Sequence, residues 1–197
     1  MIMRIEFLVE EYSMKVFLEI LLPRILPEEI RINEHYFLRA HEGKSDLKKS
    51  IPQKVRAFNN AGTPVGIVIL QDQDSNDCVV LKNELVSLCE IPNNNVKCMV
   101  RIVCRELEAW YLGDMDAIQM AYPKFAAYKY KNKAKFRYPD NSNAYDEMRK
   151  IMPFFQKVEG ARKISPHINI TKNRSPSFHQ FVTGLKTFFE NNFNVQN

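Results

Sequence analysis

Hydrophobic residues come along this chain in short unbroken runs, and between the runs they recur every three or four positions. The first run, Arg4 to Val9 (RIEFLV), stops at the acidic pair Glu10-Glu11. A run that short and that apolar predicts a buried strand. Val65 to Leu70 (VGIVIL) is the clearest strand of all, rich in β-branched residues and bounded by Pro64 and Asp72. It reads as covered on both faces. His35 to Arg39 and Val96 to Val103 supply two more candidates. Between them lie helical patterns. Ser13 reads as the N-cap of a helix through Val16, Phe17, Ile20 and Leu21 that Pro23 ends, and Ser45 as the cap of a helix to about Asn60, closed by the turn Asn60-Ala61-Gly62. Val79 to Leu88 repeats as a helix would, Glu106 to Tyr111 opens a further helix, and residues 144–155 and 177–192 look helical.

Four alternations of strand and helix within about 110 residues predict an α/β fold, a mainly parallel sheet of about four strands flanked by helices. After Tyr122 the pattern changes to interleaved lysine and tyrosine (YPKFAAYKYKNKAKFRYPDN), a candidate lid. The division expected is an α/β core over 1–120 and a basic, mostly helical extension over 121–197 packed on it.

Charge sharpens that division. Residues 1–120 carry 14 Lys/Arg against 18 Asp/Glu, whereas residues 121–175 carry 13 against 4. An acidic region beside a basic one suits an enzyme that gathers cations with carboxylates and phosphates with lysines; a solvated basic surface accounts for the lysines equally well. Cys78, Cys89, Cys98 and Cys104 have no C-x-x-C spacing and read as reduced, mostly buried thiols. The four histidines lack ligand spacing, which argues against structural zinc. No apolar run approaches the roughly 18 residues of a membrane span, and Glu6 interrupts any signal-like stretch at the start, so a cytoplasmic protein is expected.

The candidate chemistry sits where strands end. Asp72-Gln73-Asp74 follows the most buried strand and Glu10 follows the first. In parallel sheets ligands bind beyond the carboxyl ends of strands. If these strands are neighbours, three carboxylates meet, and their repulsion calls for a cation; all-oxygen ligands suit Mg2+ or Mn2+. The competing reading has Asp72 capping a turn while Asp74 and Asp77 dress a solvated loop. Two separate strand ends finishing in acid favour a site. A second acidic pair, Glu106 and Glu108, follows the fourth strand: Glu106 serves equally as a first-turn acid, and one of the pair can line the site without the other. Trp110, the single tryptophan, is expected in the core.

Phe7-Leu8-Val9-Glu10-Glu11 and Val68-Ile69-Leu70-Gln71-Asp72-Gln73-Asp74 resemble the Toprim (topoisomerase-primase) pattern, a strand-terminal Glu followed by a strand-terminal D-x-D, with Glu11 where that pattern usually has glycine. More closely, the chain resembles bacterial proteins grouped as domain-of-unknown-function family 4276, regarded as Toprim-like. The resemblance runs through Val9-Glu10-Glu11, His41-Glu42-Gly43-Lys44, the D-x-D with Asp77-Cys78, Glu106 to Asp114, Gly160-Ala161-Arg162 and Ser175-Pro176-Ser177-Phe178. It implies a Mg2+- or Mn2+-dependent nuclease or other phosphodiester-handling protein, of a kind encoded beside an ATPase partner in defence-type systems. Asp72 and Asp74 would bind metal, Glu10 would ligate or act as acid/base, and Glu106 or Glu108 would complete the site. Lys44, Arg162, Lys163, Lys172 and Arg174 are then the candidate phosphate contacts to DNA or RNA. The alternative is a catalytically inactive subunit that keeps the fold and only binds nucleic acid or a partner. Two other D-x-D chemistries fare worse: Asn76 stands where an aspartyl-phosphate phosphatase expects Thr or Val, and fewer than 200 residues leave a nucleotide-sugar transferase little room for an acceptor.

Overall fold

The computed structural model describes residues 4–61 and 64–192. Four strands, β1 (Arg4–Val9), β2 (Tyr36–Ala40), β3 (Val65–Asp72) and β4 (Lys97–Val103), form one sheet in the order β2-β1-β3-β4. Every pairing is parallel. All eight residues of β3 are buried, as a central strand covered on both faces requires.

The two faces follow from the alternation of side chains along each strand. Phe7 and Val9 of β1, Val68 and Leu70 of β3, and Met99 and Val103 of β4 point to one side. There they meet α1 (Tyr12–Leu21), α4 (Glu108–Leu112), α5 (Met115–Ala121), α6 (Ala144–Ile151), α7 (Lys157–Ile164) and α8 (Pro176–Asn192). Leu8, Ile67, Ile69 and Val100 face the other way, onto Leu47, Ile51 and Val55 of α2 (Lys44–Asn60) and Leu81 and Leu85 of α3 (Cys78–Ser87). Trp110 is fully buried against Phe17, Phe178 and Phe181, and its indole N–H donates to Ser177 Oγ at 2.8 Å. Through these rings α8 shares the core of the sheet.

Several local expectations are corrected. Glu11, not Ser13, is the residue before α1, and Ser13 is buried inside the first turn, where its hydroxyl donates to Glu11 Oε1 at 2.5 Å. The helix expected over 144–155 ends at Ile151, because Pro153 cannot donate a backbone hydrogen bond and disfavours helical geometry in the residue before it. A separate helix, α7, then follows from Lys157. The helix after β4 begins at Glu108 rather than Glu106, and Asp114 starts a new one by accepting from Ala117 N–H at 3.1 Å. The 122–143 segment is a string of single 3₁₀ turns over stacked Phe125 and Tyr130. All four cysteines are free; Cys89 is buried, while Cys78, Cys98 and Cys104 are half-buried, more exposed than expected. Gly62, which was to close α2, lies outside the described residues. Among those described, no helix is long and apolar enough to cross a membrane.

Candidate acidic site at the carboxyl edge of the sheet

Because β1 pairs with β3 in the register Val9↔Leu70, the chain leaves both strands at the same edge. Here the strand order switches direction, β2 lying to one side of β1 and β3 to the other, the place where α/β sheets open a crevice. Glu10 Oε2 accepts the backbone N–H of Asp72 at 3.0 Å, which joins the two strand ends. The Glu10 carbonyl in turn accepts from Gly43 N–H at 3.0 Å. Gly43 has φ +91°, a backbone state that other residues rarely adopt.

Asp72 is only 4% exposed, and its Oδ1 has no hydrogen-bond partner. Glu108, in the first turn of α4, is fully buried with neither carboxylate oxygen bonded. The Tyr111 hydroxyl, one helical turn further, is also unpartnered. Lys157, the first residue of α7, reaches in from the opposite helix and donates to both oxygens of Glu11, at 3.1 and 3.2 Å.

The electrostatics are those of a site with too much negative charge. Burial pushes the Asp72 carboxyl well above its usual range, and the fields of Glu108, Glu10 and Glu11 push it further, with Lys157 pulling back. Burial raises Glu108 to about 7, against the pull of Lys157. Burial likewise raises Glu10, against the pull of Lys44 and the Asp72 N–H. Desolvation would lower the Lys157 ammonium, but Glu108 and Glu11 outweigh it and hold it above the ordinary lysine value. Tyr111 is pushed well up by burial, then by Glu108 and Asp72.

The structure therefore gathers Glu10, Asp72 and Glu108 and gives other partners to the remaining candidates. Asp74 stands in the left-handed region at φ +49°, half-exposed, with its carboxylate on the Lys44 ammonium. Glu106 accepts the Tyr145 N–H at 2.8 Å and so anchors the start of α6. Asp77 caps α3, accepting from Val79 and Val80 N–H, both at 2.9 Å. Of the phosphate candidates, Arg162 and Lys163 lie on the exposed side of α7, Lys163 paired with Glu159 at 2.6 Å. Lys172 and Arg174 line a separate cleft. Sequence reasoning missed Glu11, Tyr111 and Lys157. Lys157 was within reach, since it shares a helical face with Ala161 and Ile164, both buried.

Among the described residues no group of three or more His, Cys, Asp or Glu side chains is set to hold a metal ion as it stands. The unbonded oxygens of Asp72 and Glu108 are nonetheless an all-oxygen donor set, the kind a hard divalent cation takes. Lys157 now supplies part of the charge such an ion would bring.

A family model, the domain of unknown function DUF4276, matches residues 9–186. The chain belongs to the DUF4276 family. The match begins at the end of β1 and runs into α8, so the family unit contains the acidic edge, α7 with Lys157 and the α8 rings that pack on Trp110. Compared with curated proteins and with solved structures, the chain gives no match.

Proposed function

We propose that this DUF4276 protein is a Toprim-like, Mg2+- or Mn2+-dependent phosphodiesterase acting on nucleic acid, its site built on Asp72, Glu108 and Glu10. The observation that carries the reading is the pair of buried carboxyls, Asp72 and Glu108, with three unbonded oxygens between them. Leaving buried carboxyls unpartnered costs stability, and such costs concentrate at functional sites.

In this reading Asp72 and Glu108 hold the cation, and the chemistry it supplies is Lewis-acid polarisation of a phosphoryl group. Glu10, oriented by the Asp72 N–H and raised by burial, accepts the proton of the attacking water. Lys157 stays charged and turns from Glu11 to a phosphate oxygen, where an ammonium is worth more than at the surface. The Tyr111 hydroxyl stays protonated and donates. The Asp74–Lys44 pair lies beside this group, so Lys44 becomes available to nucleic acid when Asp74 is drawn elsewhere.

The Lys157–Glu11 pair also favours a second reading, in which lysine alone balances the acids and the domain is a non-catalytic binding or regulatory subunit. Calorimetric titration with Mn2+, beside cleavage assays on end-labelled DNA and RNA with and without a neighbour-encoded ATPase, separates the two. Saturable Mn2+ binding lost in Asp72→Asn and Glu108→Gln, with cleavage lost in the same variants, is expected. Metal binding without cleavage in any combination refutes the catalytic part of the proposal, and the absence of both binding and cleavage selects the subunit reading. No metal binding at all overturns the proposal.

A further inference from the structure

Two stretches singled out in the sequence take no part in the acidic edge yet meet each other: Leu112-Gly113-Asp114, and Lys172 to the serine-rich start of α8. Helix α4 begins at Glu108 and ends at Leu112. At 1.5 Å per residue it carries the chain about 8 Å from the acids to Gly113. There a cleft of about 410 Å³ opens between α5, the Lys131-Asn132 turn and the His167–Arg174 loop. That volume lies in the range of small-molecule sites.

The loop is built against the end of α4. A Cβ on Gly113 would come within 2.1 Å of Asn173 Oδ1 and 3.0 Å of Ser175 N, so only glycine lets the loop approach. Arg174 N–H donates to the Gly113 carbonyl at 3.0 Å, and buried Asn173 donates to the Trp110 carbonyl at 2.8 Å. Asn169 Oδ1 accepts from Thr171 and Lys172 N–H, both at 3.0 Å. The backbone beneath Lys172 and Arg174 is thus held from both ends.

The acids of the cleft are already committed, and so is Lys131, but Lys172 and Arg174 keep spare donors. Asp114 accepts from Ala117 N–H at 3.1 Å and Asn169 N–H at 2.7 Å; Asp116 pairs with Lys131 at 3.2 Å. Arg174 donates one N–H to the Lys131 carbonyl at 2.7 Å, which orients the guanidinium; among the described residues its Nε and NH2 have no partner. Among the described residues, neither the Lys172 ammonium nor the His167 imidazole has a hydrogen-bond or ion-pair partner. Two spare cations, one of them a pre-oriented fork, match a dianion with several acceptor oxygens better than a singly charged carboxylate. Met120, 65% exposed, supplies an apolar lip beside them.

We infer that this cleft binds a phosphate monoester, with Arg174 and Lys172 on the phosphate oxygens and Met120 against the attached nucleoside. The ligand is a free mononucleotide or the phosphorylated end of a nucleic-acid strand, and the site is distinct from the acidic edge.

The test uses the full chain in EDTA at fixed ionic strength, so that no cation at the acidic edge contributes. Titrations follow inorganic phosphate, a nucleoside 5′-monophosphate, the unphosphorylated nucleoside, acetate, and an oligonucleotide with and without a 5′-phosphate. Phosphate and the monophosphate bind saturably, while nucleoside and acetate do not. Arg174→Ala and Lys172→Ala each weaken binding by about tenfold or more, and Glu108→Gln leaves it unchanged. Lys172 is exposed and makes no side-chain contact that folding needs, so its variant stays informative if Arg174→Ala misfolds. Preference for the oligonucleotide over the mononucleotide assigns the strand end, and the reverse assigns the free nucleotide. No saturable phosphate binding, or wild-type affinity in Lys172→Ala, overturns the inference without touching the metal reading.

Discussion

Replacing Glu108 by Gln keeps the side chain's shape and removes its charge, so the variant isolates the cost of ionising a carboxyl beneath α4. The folded-state value is raised from 4.5 to about 7. For a raised acid the stabilising contribution is complete below the unfolded value and is lost as pH rises through the folded one. Wild type and Glu108→Gln should therefore match in stability near pH 4.5 and diverge up to about pH 7, the variant becoming the more stable. Above that the gap is constant. At 1.36 kcal/mol per pH unit the gap is about 3 kcal/mol. For a chain of this size that is a melting-temperature difference of roughly 6–12 °C. Thermal melts of both proteins in EDTA from pH 4.5 to 8.5 give the curve directly. Adding Mg2+ at pH 8 should raise the wild type by about 3 kcal/mol at a hundredfold excess over its dissociation constant, and leave the variant nearly unmoved. Parallel curves for the two proteins across the pH range, or a variant less stable than wild type at pH 8, would refute the reasoning, because the Lys157 attraction would then exceed the burial cost.

Lys157→Met removes the cation facing Glu11, Glu108 and Asp72 and should destabilise by about 1–2 kcal/mol at pH 8, less than a fully buried pair would because a third of its side chain meets water, and by much less at pH 5; urea titrations at the two pH values check the sign. Gly160→Ala puts a Cβ 2.2 Å from the Phe155 ring, so α7 must shift, and calorimetry should show a loss of about 1–3 kcal/mol despite alanine's better helix propensity. Asp77→Ala strips from the start of α3 the one oxygen that accepts from two backbone N–H groups and should cost about 1 kcal/mol, read as a lowered urea midpoint at an unchanged m-value.

What sequence alone determined follows from period and position. An unbroken apolar run such as Val65–Leu70 has no polar face, so it is a strand covered on both sides, and the residue that ends it stands at the sheet's edge. The strands, their parallel sense and the placing of Glu10 and Asp72 at the same edge were legible for that reason. Helix boundaries were less so, because one proline, Pro153, or a cap such as Asp114 decides them against a periodicity that runs on.

Only tertiary structure decided which acids share an environment. Asp72 and Asp74 are two residues apart, yet the left-handed turn at Asp74 sends one carboxylate to Lys44 in solvent while the other stays buried. Glu106 and Glu108 part in the same way, the first bonded to the start of α6 and the second enclosed with Asp72. Lys157 reaches this group only because α7 packs on α1, 136 residues or more away along the chain. Field strength falls with distance in space and not with separation in sequence, so the partners that set the charge of a buried carboxyl are known only once the chain has closed around it.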